Sequence, residues 1–203
     1  KVRVGLVYGG KSGEHDVSLQ TALAVIQAFD HERYDIIPYY ITKRGEWRTG
    51  PKLNGPVAGK EQLLLEPEAG EEGNSALLPL FDSGSAIAAA AQRAVPAEPV
   101  VAADQAGSGV DIVCPLLHGT FGEDGTIQGM LEMMNVPYVG AGVPASAVGM
   151  DKVAMKKMFA QEGLPQCIYR HFTRYQWNKD SAYHTMEIEV ALGYPCFVKP
   201  ATL

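Results

Sequence analysis

Proton-transferring and charged side chains follow an apolar run near the middle of this 203-residue sequence, at the point where the run ends. The run 110–117 stops at His118, and two carboxylates, Glu123 and Asp124, follow across a glycine-containing stretch. An imidazole exchanges protons near neutral pH and, with carboxylates beside it, can bind a small polar ligand. Because packing gives no reason for a histidine after a buried strand, we expect His118 to contact a substrate.

The same three side chains could also coordinate a metal ion, but their spacing permits such a site without being specific for one. Asp124 has a simpler role as the N-cap of the helix that apolar spacing predicts up to Met134. We therefore predict no metal site within this chain.

A second polar group lies where the first apolar run, 2–8, ends. Asp16 suits the first turn of the helix that follows, because carboxylates are favoured beside the free N–H groups there. Glu14 precedes that helix and lies in the crevice between strand and helix, where open α/β sheets bind ligands. We expect Glu14 to contact a ligand.

Two lysines have different contexts. Lys152 stands at the start of a predicted helix, where a lysine is usually solvated. Lys199 ends a predicted strand, 195–199, and precedes Pro200. A cation at a strand end is a candidate to neutralise a phosphate.

A phosphate-loop pattern, G-x-x-x-x-G-K-[ST], is also present as Gly5, Gly10, Lys11 and Ser12. The pattern works when its residues form a loop whose N–H groups surround a phosphate. Three of the four intervening residues continue the first strand, so Gly5 cannot begin such a loop. A phosphate-loop NTPase is kept only as an alternative.

Strands and helices that alternate along the chain must position these groups, which is typical of a parallel α/β sheet. In the first part the pattern predicts strands at 2–8, 34–42, 110–117 and 137–140, a short strand after the turn 43–47, and helices over 19–29 and 127–134. In the second part it predicts helices from 151 to 163 and over 180–192, with strands at 166–172 and 195–199. Between them, 51–109 has no assignable role, although 76–80 could form a strand and 86–93 a helical turn. The chain stops at Leu203 directly after a predicted strand, so we expect it to be part of a longer protein.

Composition excludes several classes of protein. A net charge of -6 without a lysine or arginine cluster argues against nucleic-acid binding. No apolar run approaches the roughly 18 residues of a membrane span. Three widely spaced cysteines form no metal or disulfide pattern and are expected to be reduced core thiols, which favours a cytoplasmic protein.

Four motifs in order closely resemble the D-alanine–D-alanine ligases of the ATP-grasp superfamily: GGKSGEHDVS at 9–18, HGTFGEDGTIQG at 118–129, SAVGMDK at 146–152 and FVKP at 197–200. The resemblance implies a Rossmann-like parallel-sheet N-terminal (pre-ATP-grasp) domain over 1–149. An incomplete ATP-grasp central subdomain would follow over 150–203.

The resemblance implies an ATP-dependent reaction that serves peptidoglycan synthesis. The carboxylate of one D-alanine takes the γ-phosphoryl group of ATP, and the amine of a second attacks the acyl phosphate. Such chemistry depends on positioning and charge neutralisation more than on a protein nucleophile.

The resemblance also implies roles for four residues of the first domain. Glu14 would anchor the ammonium group of the first D-alanine, with Val17 near its methyl group. His118 would lie by the reacting carboxylate and offset its charge, and Glu123 would support the active-site loop of the missing half, which is expected beyond residue 203.

In the second domain, Lys152 and Lys199 would hold ATP phosphates. The Mg²⁺ ligands are expected beyond residue 203, so this piece alone is expected to be inactive. The family resemblance suggests a homodimer.

Three alternatives stay open. The second substrate could be D-lactate or D-serine instead of D-alanine. The phosphate-loop NTPase would use Gly10, Lys11 and Ser12. The chain could also be a non-catalytic α/β binding module.

Overall fold

A four-stranded sheet organises the first part of the molecule. In the computed structural model, which describes residues 1–66 and 109–202, the chain divides into two compact units, Lys1–Ser146 and Ala147–Leu203. The strands of the first unit are β1 (Val2–Gly9), β2 (Tyr34–Ile41), β3 (Trp47–Thr49) and β4 (Ile112–Pro115).

The strand order is β3-β2-β1-β4, and β1 pairs in parallel with both β2 and β4. The register places Gly9 opposite Ile41, and Val7 opposite Pro115. The carboxyl ends of these three strands therefore meet at one edge of the sheet. Among the strands that the structure describes, β3 runs antiparallel to β2, after the tight turn that the sequence predicts.

Alternate residues of the strands are buried on opposite faces, as the period of a strand requires. Leu6 and Tyr8 pack with helix α1 (His15–Ala28) in one core, while Val7 packs with helix α2 (Thr126–Met133) in the other. The result is a sheet covered on both faces by helices, which confirms the predicted α/β class.

In two places between residues 137 and 150 the structure differs from the prediction. The strand predicted at 137–140 is a single parallel bridge between Val113 and Tyr138. A helix that the sequence did not predict, α3 (Val143–Met150), follows it.

The second unit contains three further helices: α4 (Lys152–Gln161), α5 (Arg174–Lys179) and α6 (Ser181–Ala191). Phe172 stacks on both Trp177 and His184, with ring centroids 5.3 Å and 4.9 Å apart, and this stack joins α5 to α6.

The strands predicted at 166–172 and 195–199 are wrong for this structure, because neither segment pairs with another strand among the described residues. A strand exists through hydrogen bonds to a neighbour, and apolar residues alone do not supply one. Phe197 and Val198 are 97% and 87% exposed, so Lys199 does not emerge from a buried strand.

The three cysteines are free thiols, but Cys167 is exposed, which corrects its assignment to the core. The possible strand 76–80 and helical turn 86–93 lie outside the described residues. Among the residues that are described, no helix is both long and apolar enough to cross a membrane.

Candidate active site

Ser18 joins the ends of β1 and β4. Its hydroxyl accepts a hydrogen bond from Gly9 N at 2.8 Å and donates one to Leu116 O at 2.6 Å. Both bonds are needed, because the backbone groups leave the sheet here and Ser18 is fully buried. The two strand ends are thus fixed side by side.

Ser12 fixes the backbone of the predicted site. Its hydroxyl donates to the carbonyl oxygen of His118 at 2.6 Å and accepts from Glu14 N at 3.2 Å. One side chain therefore positions both residues that the sequence analysis proposed as ligand-binding groups.

The imidazole of His118 lies between α1 and the loop that follows β4. Its Nε2 is 2.9 Å from Thr21 Oγ1, and its Nδ1 is 3.9 Å from Glu123 Oε1. The side chain is 29% exposed, so part of it remains accessible, while Nε2 contacts Thr21.

The carboxylate of Glu14 lies against the same loop. A methyl group added to Gly119 would be only 2.9 Å from Glu14 Oε2. Gly119 also has a φ of +70°, which favours glycine. The carboxylate of Glu14 therefore lies against Gly119, the residue that follows His118, at the edge of the sheet where the parallel strands end.

Glu123 stabilises the loop 118–125, which follows β4 and is called the histidine loop below. Its Oε2 accepts a hydrogen bond from Gly119 N at 2.7 Å, while its own N–H donates to Gly119 O at 2.9 Å. These contacts stabilise the loop that carries His118, whereas the expected support of an active-site loop beyond residue 203 stays a prediction.

Asp124 is not the N-cap of α2, which is Gly125 with a φ of +92°. The carboxylate instead accepts hydrogen bonds from Phe121 N and Thr126 N, at 2.9 Å and 3.0 Å. Partial burial acts to raise the pKa of Asp124, but these hydrogen bonds outweigh it and hold the pKa below its ordinary value.

The phosphate-loop arrangement is absent from the described residues around Lys11. Gly5 lies within β1, as do the residues after it up to Gly9. The ammonium group of Lys11 is 4.8 Å from the ring centroid of Phe121, in a cation–π contact. Phe121 itself has a φ of +68°. Lys11 thus supports the histidine loop.

Val17 lies in the first turn of α1 with its side chain 53% exposed, available to an apolar group of a ligand. Its carbonyl oxygen accepts a hydrogen bond from Thr21 Oγ1 at 3.1 Å.

The segments that carry the two predicted ATP lysines meet within the second unit. Lys152 is the first residue of α4, and its N–H donates to Ala201 O at 2.9 Å, two residues beyond Lys199. Asp151 caps this helix by accepting from Val153 N and Ala154 N. Lys199 is exposed.

Sequence reasoning missed Ser12, Ser18 and Thr21 as site-building residues. A signal existed for Ser18, which shares its helix face with Ala22 and Ile26 and therefore needs a buried partner. No comparable signal identifies Thr21, because its role depends on which side of α1 faces β4.

No group of three or more histidine, cysteine, aspartate or glutamate side chains is arranged to hold a metal ion in the part of the chain that the structure describes. A cavity of about 470 Å³ lies elsewhere, bordered by His15, Tyr40 and Arg44, and includes neither Glu14 nor His118.

The sheet, its two helical layers and the strand-end cluster define an open α/β domain of the class that binds small ligands at the carboxyl edge of the sheet. The family model for the D-alanine–D-alanine ligase N-terminus matches residues 3–141, and the model for the C-terminus of the same family matches residues 158–203. The chain belongs to the D-alanine–D-alanine ligase family.

Curated relatives agree with this assignment. The chain is 51% identical to a D-alanine–D-alanine ligase of Bacillus licheniformis over 203 residues, which is 100% of this chain and 52% of that protein. It is 44% identical to the enzyme of that name from Listeria welshimeri, again over 100% of this chain and 51% of the relative. The chain therefore spans about half the length of the curated relatives it matches.

Solved structures show the same fold. The D-alanine–D-alanine ligase of Coxiella burnetii superposes with a TM-score of 0.62 at 26% identity, over 94% of this chain and 50% of that one. The VanG D-Ala:D-Ser ligase of Enterococcus faecalis gives a TM-score of 0.63 at 29% identity, over 100% of this chain and 52% of that one.

Proposed function

We propose that the full-length protein joins two D-alanine molecules at the expense of ATP, giving D-alanyl-D-alanine, ADP and phosphate for peptidoglycan synthesis. Membership of the ligase family and identity of about one half to curated enzymes of that name support this proposal. The proposal concerns the longer protein, of which this chain corresponds to the first half.

The observation that carries the proposal is the placement of Glu14 beside the His118 loop. An amino acid carries an ammonium group and a carboxylate on neighbouring atoms, so it needs an acceptor and a donor side by side. Glu14, whose carboxylate lies against the residue that follows His118, would supply the acceptor, and the protonated imidazole of His118 would supply a donor. The exposed Val17 side chain would pack against a small group such as a methyl.

The proposed reaction has two steps. A carboxylate oxygen of the first D-alanine attacks the γ-phosphorus of ATP, and ADP leaves. The amine of the second D-alanine then attacks the carbonyl carbon of the acyl phosphate, loses a proton, and displaces phosphate. Glu14 holds the first ammonium group throughout, and His118 offsets negative charge at the reacting carboxylate.

Lys152 and Lys199 would neutralise ATP phosphates, since ammonium groups bind phosphate oxygens well. When bound, Mg²⁺ supplies further charge neutralisation on the phosphates. The described residues do not form a site that fits this ion, so we propose that its ligands lie in the rest of the full-length protein.

The test is phosphate release by the full-length protein with ATP and D-alanine. We expect Glu14→Gln and His118→Ala to lower kcat/KM for D-alanine by about a hundredfold, since misplacing a reacting group costs about that much. Glu32→Gln, on an exposed turn of the same unit, is the matched control and should behave like the wild type. Unchanged rates in both site variants would refute the site, and absence of D-alanine-dependent release would refute the function.

D-Serine or D-lactate as the second substrate is a separate question, since one structural neighbour is a D-Ala:D-Ser ligase. The curated relatives favour D-alanine. Product analysis with the three substrates in competition decides among them. We also propose that the protein is cytoplasmic and that it forms a homodimer. Sedimentation of the full-length protein tests the oligomeric state.

A further inference from the structure

The hydroxyl group of Thr21 lies between two partners. Its Oγ1 is 3.1 Å from Val17 O, one turn earlier in α1, and 2.9 Å from Nε2 of His118. A threonine hydroxyl carries one proton, and a carbonyl oxygen can only accept. Both contacts are satisfied when the hydroxyl donates to Val17 O and Nε2–H of His118 donates to Oγ1.

We infer that Thr21 is a positioning residue that holds His118 with its proton on Nε2 and so presents Nδ1 to the ligand. Nε2–H remains on Thr21 whether the ring is neutral or charged. All proton exchange and ligand contact of His118 then takes place at Nδ1. The identity of that ligand rests on the proposed function, whereas the position of the proton does not.

The surroundings of Nδ1 agree with this assignment. Glu123 Oε1 is 3.9 Å from Nδ1, too far for a hydrogen bond, so this contact leaves Nδ1 available to a ligand. When Nδ1 also carries a proton, the ring can donate to the substrate carboxylate from this side. A ring flipped by 180° about the Cβ–Cγ bond would place the carbon Cε1, in place of Nε2, next to Thr21 and lose this hydrogen bond.

Thr21 and Ser12 together hold both parts of His118. Ser12 binds the carbonyl oxygen of His118 at 2.6 Å, and Thr21 binds the ring. Because the backbone is already fixed by Ser12, loss of the Thr21 hydroxyl would free the ring without releasing the loop. A Thr21 variant therefore distinguishes a role of Thr21 in positioning the ring from a role in the stability of the loop.

The first experiment locates the proton by NMR of the full-length protein labelled with ¹⁵N-histidine, at about pH 9, where free imidazole is neutral. His118 signals are assigned by their loss in His118→Gln. We expect the Nε2–H form in the wild type and in Thr21→Ser, and a mixture of both forms in Thr21→Val. An Nδ1–H form in the wild type, or an unchanged tautomer in Thr21→Val, would overturn the inference.

The matched control is Thr185→Val. Thr185 makes the same one-turn hydrogen bond to a carbonyl oxygen, Ser181 O at 2.8 Å, on an exposed face of α6 and without a histidine partner. It removes a helical threonine hydroxyl as Thr21→Val does, so it should leave the His118 signals unchanged.

The second experiment measures ligation by the same variants. We expect Thr21→Val to lower kcat by about tenfold to a hundredfold with the KM for ATP unchanged, while Thr21→Ser keeps the wild-type kcat. Full activity in Thr21→Val despite a changed tautomer would also overturn the positioning role. If the wild type shows no ligation, the proposed function fails, and the NMR result still decides where the proton lies.

Discussion

The carboxylate of Glu14 occupies space next to Gly119 that is free because Gly119 has no side chain. An added methyl group would be 2.9 Å from Oε2 of Glu14, well inside normal contact. The shape of the surface that we propose binds the ligand therefore depends on a residue that contributes no functional group of its own.

Gly119→Ala should displace the Glu14 carboxylate and raise the KM for D-alanine by about tenfold, with an additional loss of stability of about 1 kcal/mol from the positive φ. The matched control is Gly163→Ala, which has the same φ of +70° but nothing within 4 Å. The KM for D-alanine of both variants measures the effect of the contact with Glu14. Urea unfolding of both variants measures the effect of the strained backbone. Equal KM values in the two variants would contradict the role of the contact.

Ser18→Ala should strongly destabilise the first unit. The change leaves Gly9 N and Leu116 O buried without their shared partner, and removing such a partner costs about 2–4 kcal/mol in total. Urea unfolding provides the measurement, with the exposed Ser181→Ala as the control. A loss equal to that of the control would show that water replaces the hydroxyl.

Lys11→Met should leave nucleotide binding intact. Lys11 contacts the ring of Phe121, and an exposed cation–π contact contributes about 0.5–1 kcal/mol to stability. Lys199→Met should instead weaken ATP binding by at least about tenfold, because it removes a phosphate-binding charge. Calorimetry with a non-hydrolysable ATP analogue measures the nucleotide affinity of the two variants. Loss of binding in Lys11→Met alone would restore the phosphate-loop alternative.

The ion pair between Arg3 and Asp111 should make stability depend on acid pH. A hydrogen bond from the Arg3 guanidinium, at 2.8 Å, lowers the pKa of Asp111 in the folded protein. A lowered folded pKa contributes stability above the unfolded value of about 3.9, and the contribution disappears as pH falls through the folded pKa.

Asp111→Asn should accordingly be less stable than the wild type at pH 7, by under about 1 kcal/mol because the pair is partly exposed. The difference should vanish near pH 2. Urea unfolding across this range tests it, with Glu32→Gln as the control. A difference that persists unchanged at pH 2 would point to packing and not to charge.

The elements predicted correctly are those in which the spacing of the apolar residues fits either a strand or a helix, but not both. β1 and β2 are buried on both faces, and α1 has one apolar stripe, so their sequences favour one conformation each. α3 was missed because Val143–Met150 is apolar on nearly all sides and has Pro144 as its second residue. Proline is tolerated at a helix start but is also typical of turns.

The site was predicted only in part. Parallel strand ends must share an edge, so the convergence of Glu14 and His118 follows from the strand pattern. The contact of Thr21 with His118 depends on the rotation of α1 about its axis, which is set by packing and not by residue type. The strand end predicted for Lys199 could not be judged from the sequence, because a strand is defined by its partner.

The pairing of β1 with β4 joins residues 108 positions apart, as in the contact of Arg3 with Asp111. The β1–α1–β2 segment can form from contacts that are near in sequence, whereas β4 must first close a long loop at an entropic cost. Glu14 belongs to the early segment and His118 to the late one. The proposed binding surface therefore combines segments that are far apart in sequence, and ligand binding would report that β1 and β4 have paired.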